Sequence, residues 1–281
     1  MNLLDPLRWL NHWRPFLAGQ WVKLELLLIL IQRDLSARYQ KSLLGNLWPL
    51  LNQLSQLLIY TYVFSVVLQV KVSLQGAEEA SPVGFGLWLF AGLIPWIALS
   101  TSLGQACIAV VNQPNLVKKV VFPLALLPLV PIGVAFLEST LGLGLLVVFV
   151  AVLLGQVHGT LLLLPLVWGV QLLLTAGLGF WGAGLTVFLR DVPQLVAIGL
   201  NLWFYATPII YPAELIPEPL ARWVFWLNPM ATIAELYRDT VLIGQVTHWA
   251  ELGVALIIST LIFVSGVGLY KKLRPGFADV L

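Results

Sequence analysis

The sequence predicts an all-α polytopic membrane protein with six transmembrane helices, formed as a single domain over residues 1–281. The first observation behind this prediction is that charged residues make up only 10% of the chain, whereas a soluble domain has about 25%. The second is a mean hydropathy of +0.92. The third is that apolar stretches long enough to cross a bilayer as helices recur along the whole chain. A soluble globular domain is excluded.

The N-terminal segment, residues 7–32, is predicted to be an amphipathic helix lying in the membrane surface. Within residues 7–24 the aromatic residues Trp9, Trp13 and Trp21 recur at helical spacing, and cations lie elsewhere on the wheel. Tryptophans at the headgroup boundary with cations beside them are typical of an interfacial helix. A disordered tail is the alternative. We expect no cleavable signal peptide, because the first apolar run, residues 24–31, is short and no small-residue cleavage site follows it.

The six-span bundle is predicted to occupy residues 33–272. Its spans are placed at about residues 47–68, 85–111, 122–154, 162–189, 194–211 and 249–270. Prolines at 123, 128 and 131 predict a kink near the start of the third span. Closely spaced glycines in the fourth span allow helix backbones to approach each other.

Residues 212–244, between the fifth and sixth spans, are too polar and too often interrupted to cross the membrane as one helix. Pro212, Pro217, Pro219 and Pro229 break the segment, yet it also holds Trp223, Phe225 and Trp226. Short re-entrant helices that dip in from one side fit this pattern best.

The distribution of lysine and arginine predicts the orientation. Twelve of the fifteen lie in segments that six crossings place on one side. Acidic residues such as Glu78, Glu79, Glu214 and Glu218 lie on the other side. Because cytoplasmic loops carry an excess of cations, we expect both termini in the cytoplasm.

The first span carries polar side chains on one face, because Asn52, Gln56 and Tyr60 follow each other at i, i+4 spacing. An unpaired amide in hydrocarbon costs several kcal/mol, so these groups need partners or water. One interpretation is that they line a path for a hydroxyl-rich cargo. Ordinary hydrogen bonding between helices is the other.

Aromatic residues and one acid complete the intramembrane candidates. Trp203 and Tyr205 in the fifth span present flat rings that stack on sugars, although belts at the membrane interface use the same residues. Glu138 lies inside the third span, where a carboxylate is expensive and is a functional candidate. A protonated or paired packing role is the alternative for Glu138.

The sequence indicates no catalytic chemistry. No GxxxxGK[ST] loop is present, so the chain alone is not expected to hydrolyse ATP in the Walker manner. The three histidines are scattered, and the single cysteine excludes a disulfide framework or a cysteine metal cluster. The cations are not pooled on one soluble face, so we expect no nucleic-acid partner. We therefore predict no catalytic residue, no metal site and no cofactor in this chain. The short basic segment after Pro114 is instead typical of a docking element.

Several motifs, in this order, are similar to those of the permease subunits of polysaccharide-exporting ABC transporters. They are RDLSARYQKSLLGNLWPLL, NQPNLVKKVVFPLALLP, FLRDVPQL, WFYATPIIYP and LNPMATIAELYRD. Each motif alone is weak, but the similarity covers nearly the whole chain. Permeases of this family export O-antigen, capsular polysaccharide or teichoic acid.

The resemblance implies a homodimer in the bacterial inner membrane that binds two copies of a soluble ATPase, with ATP and Mg²⁺ on that partner. It implies that the coupling helix to the ATPase contains Pro114, Asn115, Leu116, Lys118 and Lys119. It also implies re-entrant helices near the periplasmic exit, containing Asn228, Pro229, Glu235 and Arg238. A path between the two subunits, walled by the first and fifth spans, would carry a lipid-linked polysaccharide of the O-antigen type.

Two rival functions belong to other classes. A membrane-embedded enzyme acting on lipid-linked sugars would need an acid or base near the membrane surface, and only Glu138, Asp191 or Glu235 could serve. A secondary transporter would show repeated halves and several intramembrane ionisable residues, and neither is apparent. Capsular polysaccharide and teichoic acid remain alternative cargoes of an exporter.

Overall fold

The structure, a computed structural model, describes residues 6–40, 42–67, 69, 82–119, 122–217 and 220–281. Within those ranges the chain is helical and contains no β-strand. The described part does not include the acidic loop with Glu78 and Glu79. It also does not include the side chains of residues 6–20, Lys41 and Lys119.

Eleven α-helices occur in the described ranges, and short 3₁₀ or π-helical turns connect several of them. They are α1 (Pro6–Arg38), α2 (Trp48–Thr61), α3 (Pro82–Ile108), α4 (Pro114–Lys119), α5 (Leu129–Leu153), α6 (Leu164–Thr186), α7 (Val192–Tyr205), α8 (Leu220–Leu227), α9 (Pro229–Arg238), α10 (Trp249–Leu273) and α11 (Phe277–Val280).

Four helical segments are long and apolar enough to cross a membrane: Val83–Ile108, Leu124–Leu153, Gly159–Thr186 and Trp249–Val280. They coincide with the second, third, fourth and sixth predicted spans, which are therefore candidate spans by length and composition. The first predicted span is α2 followed by a π-helical turn, Tyr62–Val67, and the fifth is the 14-residue helix α7. Six crossings therefore stay a prediction.

The N-terminal helix is longer than the amphipathic segment that the sequence predicts. It continues past residue 32 to Arg38 without interruption, because no proline or glycine follows Gly19 before that point. Its last turns pack against α5. Ile31 is buried there, and a Cβ on Gly133 of α5 would collide with the Ile31 side chain. α1 is therefore anchored to the bundle at its C-terminal end.

The prolines of the third predicted span mark its start. A 3₁₀ turn, Leu124–Leu126, precedes α5, and Pro128 occupies the N-cap position. Pro131 falls in the first turn, where a helix tolerates the missing N–H. The irregularity is therefore confined to the beginning of the span.

Helices α3, α6 and α9 are joined by a buried glutamine. Gln171 on α6 donates from Nε2 to the carbonyl oxygen of Pro95 in α3 at 2.8 Å. Its Oε1 accepts from the Tyr237 hydroxyl of α9 at 3.0 Å. Both ends of the amide are satisfied, so this polar group fixes three helices together in the apolar interior.

The segment 212–244 is broken into short pieces, as the prolines predict. A 3₁₀ turn (Ala213–Leu215), α8, α9 and a π-helical turn (Asp239–Ile243) follow each other. Every residue of α9 is buried, because the helix packs against α3, α6, α8 and α10. The segment ends at Gly244, whose φ of +76° favours glycine. Whether α8 and α9 re-enter a membrane stays a prediction.

Candidate functional site

The polar face of α2 borders a cavity of about 300 Å³ that we call the amide cavity. It lies between the end of α1, α2, α3 and α5. Its polar lining comes from ten residues: Arg38, Tyr39, Asn52, Gln53, Ser55, Gln56, Thr101, Gln105, Glu138 and Ser139. Helical periodicity places Asn52 and Gln56 on one face, and both line this cavity as the i, i+4 pattern predicts.

A second cavity, of about 350 Å³, begins where the first ends, and we call it the aromatic cavity. Gln56, Ile97 and Thr101 line both cavities. The aromatic cavity adds the rings of Tyr60 on α2, Trp96 on α3, and Phe204 and Tyr205 on α7, together with the amide of Asn201. Four predicted lining residues, Asn52, Gln56, Tyr60 and Tyr205, therefore border two adjacent cavities.

Trp203 is placed differently from the other predicted lining residues. Its side chain is not among those that border the amide or the aromatic cavity. Its indole Nε1 donates to Asn228 Oδ1 at 2.8 Å, and its ring meets Trp96 edge-on, with centroids 5.9 Å apart. Trp203 therefore fixes α7 to the start of α9.

Glu138, the predicted intramembrane acid, has partners from the end of α1. The Tyr39 hydroxyl donates to Glu138 Oε1 at 2.8 Å, and Arg38 Nη1 lies 3.9 Å from the same oxygen. Burial, strengthened by the neighbouring carboxylate, raises the pKa of Tyr39 to about 12, so this phenol stays protonated and donates. Of the two interpretations of Glu138, the geometry fits the paired one.

Arg38 joins the amide cavity to a third cavity, of about 330 Å³, beside α4. Its guanidinium donates to Asp34 Oδ2 at 3.0 Å and also to Gln105 of α3. The third cavity is lined by Arg33 and Arg38 from α1, and by Asn112, Gln113 and Leu116 around the start of α4. The three cavities thus form a series from α4 to α7.

The predicted docking segment forms a separate short helix. α4 spans Pro114–Lys119, and Pro114 occupies its first position, where the missing N–H costs nothing. Pro114, Asn115 and Lys118 are exposed, whereas Leu116 is half-buried. α4 contacts α11, so the C-terminal segment supports it from one side. The helix presents a basic, accessible surface.

The predicted exit residues form the frame of α9. Asn228 caps the helix by accepting from the backbone N–H groups of Met230 and Ala231, at 3.1 and 3.4 Å. Pro229 follows in the first turn. Arg238 Nη1 lies 2.6 Å from Glu235 Oε1, and its guanidinium carbon lies 3.5 Å above the Trp88 ring. These four residues hold α9 against α3 and α7.

Sequence reasoning did not single out Gln53, Tyr39 or Gln105. Gln53 follows Asn52 directly and lies about 100° further around the helix. The i, i+4 pattern of Asn52, Gln56 and Tyr60 therefore does not place it on their face. The signal that could have found it is the cost of an amide inside a hydrophobic span. Among the described residues, no group of three or more His, Cys, Asp or Glu side chains could hold a metal ion.

Relatives of the chain are recognisable along almost its whole length. The chain is 31% identical over 260 residues to "O-antigen export system permease protein RfbA" of Myxococcus xanthus, which covers 90% of this chain and 94% of the relative. It is 28% identical over 263 residues to a protein of the same name from Klebsiella pneumoniae, covering 92% and 95%. It is 24% identical over 249 residues to "Polysialic acid transport protein KpsM" of Escherichia coli, covering 86% and 91%.

A family model described as "ABC-2 type transporter" matches residues 25–242. This match includes α2 to α9 and all three cavities, and it extends over more than half of the chain. The chain therefore belongs to the ABC-2 type transporter family.

Proposed function

We propose that this chain is the membrane-spanning subunit of an ATP-driven exporter that moves a lipid-linked polysaccharide of the O-antigen type across the bacterial inner membrane. The observation that carries the proposal is the near full-length match to O-antigen export permeases. The family is one of transporters, so the chain is a transport subunit rather than an enzyme. A capsular polysaccharide or teichoic acid is the alternative cargo, and the relative named as a polysialic acid transport protein supports a polysaccharide cargo other than O-antigen.

The proposed topology has six crossings in one domain. α2 with its π-helical turn supplies the first and α7 the fifth, beside the four long apolar helices. Both termini lie in the cytoplasm, since twelve of the fifteen cations then face inward. α1 rests at the cytoplasmic membrane surface over residues 7–32. The segment 212–244 enters from the periplasmic side without crossing.

The proposed path runs between two copies of the chain. α2 and α7 border the aromatic cavity together, and both carry exposed apolar side chains such as Leu58 and Leu202. A second copy covering these faces would enclose the polar and aromatic groups in a channel. Asn52, Gln56, Tyr60 and Tyr205 would line that channel, and Trp203 would border it by holding Asn228.

The proposed motor is a separate soluble ATPase, present in two copies, which binds ATP and Mg²⁺. α4 is the proposed coupling helix, and Pro114, Asn115, Leu116, Lys118 and Lys119 are its contact residues. Its exposed polar surface and its position beside the third cavity, which Arg33 and Arg38 of α1 line, support this role. Closure of the ATPase dimer would push α4, and the bundle would transmit that movement to α2 and α7.

The test is a deletion strain. Removing this chain from its organism should abolish the surface polysaccharide and cause the lipid-linked glycan to accumulate inside the cell, and the wild-type chain should restore export. Chemical identification of the accumulated glycan separates O-antigen from capsule and teichoic acid. A deletion strain with an unchanged set of surface glycans would contradict the proposal.

Two aromatic residues on different helices offer a test of the path. Tyr60 lines the aromatic cavity, whereas Trp249 is exposed at the start of α10 and is not among the lining residues. Tyr60→Ala should slow export in the complemented strain, and Trp249→Ala should not. Equal export by the two variants, at equal amounts of protein in the membrane, would remove Tyr60 from the path.

A further inference from the structure

The amide cavity contains a polar atom whose hydrogen-bonding capacity is unused. Gln53 is 3% exposed, and its Oε1 has no hydrogen-bond partner among the residues that the structure describes. A buried carbonyl oxygen without a donor costs free energy, and native proteins accept this cost rarely. The side chain borders the amide cavity. Oε1 itself packs against Gly142, so a rotation of the flexible end of Gln53 toward the cavity would let a ligand or solvent complete the bond.

Gln53 is confined by a glycine on α5. A Cβ on Gly142 would collide with Gln53 Oε1, so only glycine at this position leaves room for the amide. The next glycine of the same helix, Gly144, would carry a Cβ with nothing within 4 Å of it. The absence of a Cβ on Gly142 therefore makes room for the Gln53 carboxamide beside the amide cavity.

The charges around the cavity are already paired with each other. Arg38 donates to Asp34 and Gln105, while Glu138 accepts from Tyr39 and lies near Arg38. An anion would meet the carboxylate of Glu138, and a cation would meet the guanidinium of Arg38. The remaining polar groups are neutral amides and hydroxyls, including Asn52, Gln56 and Thr101. Amides both donate and accept, which matches a ligand hydroxyl.

We propose that the amide cavity is a binding subsite for the neutral hydroxyl groups of a sugar, present within each copy of the chain. The inference rests on the proposed function and deepens it, because it assigns a step before the aromatic cavity. Arg38 and Gln105 connect the subsite to the cavity beside α4, and Gln56, Ile97 and Thr101 connect it to the aromatic cavity. A volume of about 300 Å³ is at the low end for ligand pockets, which suits one sugar unit.

Cysteine protection tests the occupancy of the subsite. The only native cysteine, Cys107, is completely buried, so an introduced thiol dominates labelling. Asn52→Cys places a thiol in the cavity, and Lys272→Cys places one on the exposed end of α10 as a control. N-ethylmaleimide labelling is compared in inner-membrane vesicles from cells that make the glycan and from cells that cannot. In vesicles that contain the glycan, labelling of Asn52→Cys should slow about tenfold if the glycan occupies roughly nine-tenths of the subsites. The labelling rate of Lys272→Cys should be the same in both kinds of vesicle.

Gln53→Leu separates binding from a structural role. Leucine has a similar size and removes the unsatisfied acceptor, so the variant should unfold at the same temperature as the wild type or a higher one. It should nevertheless slow export and abolish the glycan protection of Asn52→Cys in the double variant. Protection that persists in the double variant, or a Gln53→Leu chain that is less stable than the wild type, would overturn the subsite.

Failure of the inference and failure of the proposed function give different results. If the Asn52→Cys chain restores polysaccharide export but labels equally in both kinds of vesicle, the cavity holds only water and the inference is wrong. If the wild-type chain restores no export of any glycan in the deletion strain, the proposed function is wrong.

Discussion

Arg238 is a completely buried cation whose guanidinium donates to several acceptors. Besides the pair with Glu235, its Nη1 donates to the carbonyl oxygen of Pro208 and its Nη2 to that of Ile209, both at 2.9 Å. A Cβ on Gly92 of α3 would lie 2.6 Å from Nη2, so the guanidinium also fits closely against that helix. The residue therefore connects α9, α3 and the turn after α7.

Replacing Arg238 by methionine should strongly destabilise the chain. The substitution leaves Glu235 as a buried carboxylate without its cation, and breaking a buried pair in this way costs about 3–5 kcal/mol. Thermal unfolding in detergent measures the effect. Arg190→Met, at an exposed position, should change stability by less than about 0.5 kcal/mol. Equal stability of the two variants would show that the Arg238 network contributes nothing.

Asp239 forms a second cluster at the residue scale, at the junction with α10. Its Oδ2 accepts from the Thr247 backbone N–H at 3.0 Å and lies 2.8 Å from His248 Nδ1. The hydrogen bond to Asp239 raises the pKa of His248 above 6.5, and the carboxylates of Glu235 and Glu251 act in the same direction, while burial opposes them. His248 is the N-cap residue of α10.

This raised pKa predicts that stability decreases as the pH rises. Protonated His248 binds Asp239 more strongly in the folded chain, so the stabilisation is complete below the unfolded pKa of about 6.5 and is lost as the pH passes through the folded pKa. We expect the free energy of unfolding to decrease by an amount on the order of 1 kcal/mol. Thermal unfolding measured at several pH values between about 6 and about 9 would detect it. In His248→Gln this pH dependence should disappear, and a variant that kept it would assign the effect to another group.

At the scale of elements, α6 and α10 approach each other through glycines. A Cβ on Gly177 would lie 2.6 Å from the backbone nitrogen of Phe263, and a Cβ on Gly266 would collide with the carbonyl oxygen of Gly177. Small residues at such an interface allow close van der Waals packing between helices in a membrane, where the hydrophobic effect contributes little. The glycine cluster that the sequence indicates therefore has a specific partner helix.

Gly177→Ala should destabilise the chain by about 1–3 kcal/mol, because backbone atoms of α10 would have to move. Gly169→Ala on the same helix provides the control, since nothing lies within 4 Å of its Cβ position. That change should stabilise by about 0.5–1 kcal/mol through the unfolded state. Thermal unfolding compares the two. A Gly177→Ala variant as stable as Gly169→Ala would mean that the helices separate at no cost.

The short helix α4 is the element on which ATPase coupling is proposed to depend. Reversing the charge of Lys118 and Lys119 to glutamate should uncouple the ATPase, because α4 would then present an acidic surface in place of the basic one that is proposed to bind the partner. Lys118 is exposed, so the stability of the chain should change by less than about 0.5 kcal/mol. Export and stimulation of the co-purified ATPase should both fall, whereas Lys272→Glu, on the exposed end of α10, should preserve them. Full export by the α4 variant would contradict the coupling role.

At the scale of the whole molecule, the proposed homodimer predicts which face becomes covered. Leu202 of α7 is 70% exposed and Leu261 of α10 is 64% exposed. If two copies meet along α2 and α7, oxidation of membranes containing Leu202→Cys should give a cross-linked dimer, and Leu261→Cys should stay monomeric. Gel electrophoresis without reductant distinguishes them. Cross-linking through α10 alone would place the interface on the opposite side of the bundle.

The sequence by itself determined the class of protein, the position of the long apolar helices and the family. These properties are local: hydropathy over about 20 residues decides whether a helix can span a bilayer, and prolines at 128, 131 and 229 decide where helices begin. Helical periodicity also placed Asn52, Gln56 and Tyr60 on one face. That face borders two adjacent cavities in the structure.

Only the tertiary structure decided which helix covers each polar group. Tyr39 reaches Glu138 across 99 residues, and Arg238 reaches the Trp88 carbonyl across 150. Trp203 lies near Tyr205 in the sequence but bonds to Asn228, and Gln53 lies beside Asn52 but its Oε1 has no partner among the described residues. Helical periodicity gives the direction in which a side chain points. Its partner depends on how helices that are distant in the sequence pack together, and an interpretation of one span at a time contains no information on that packing.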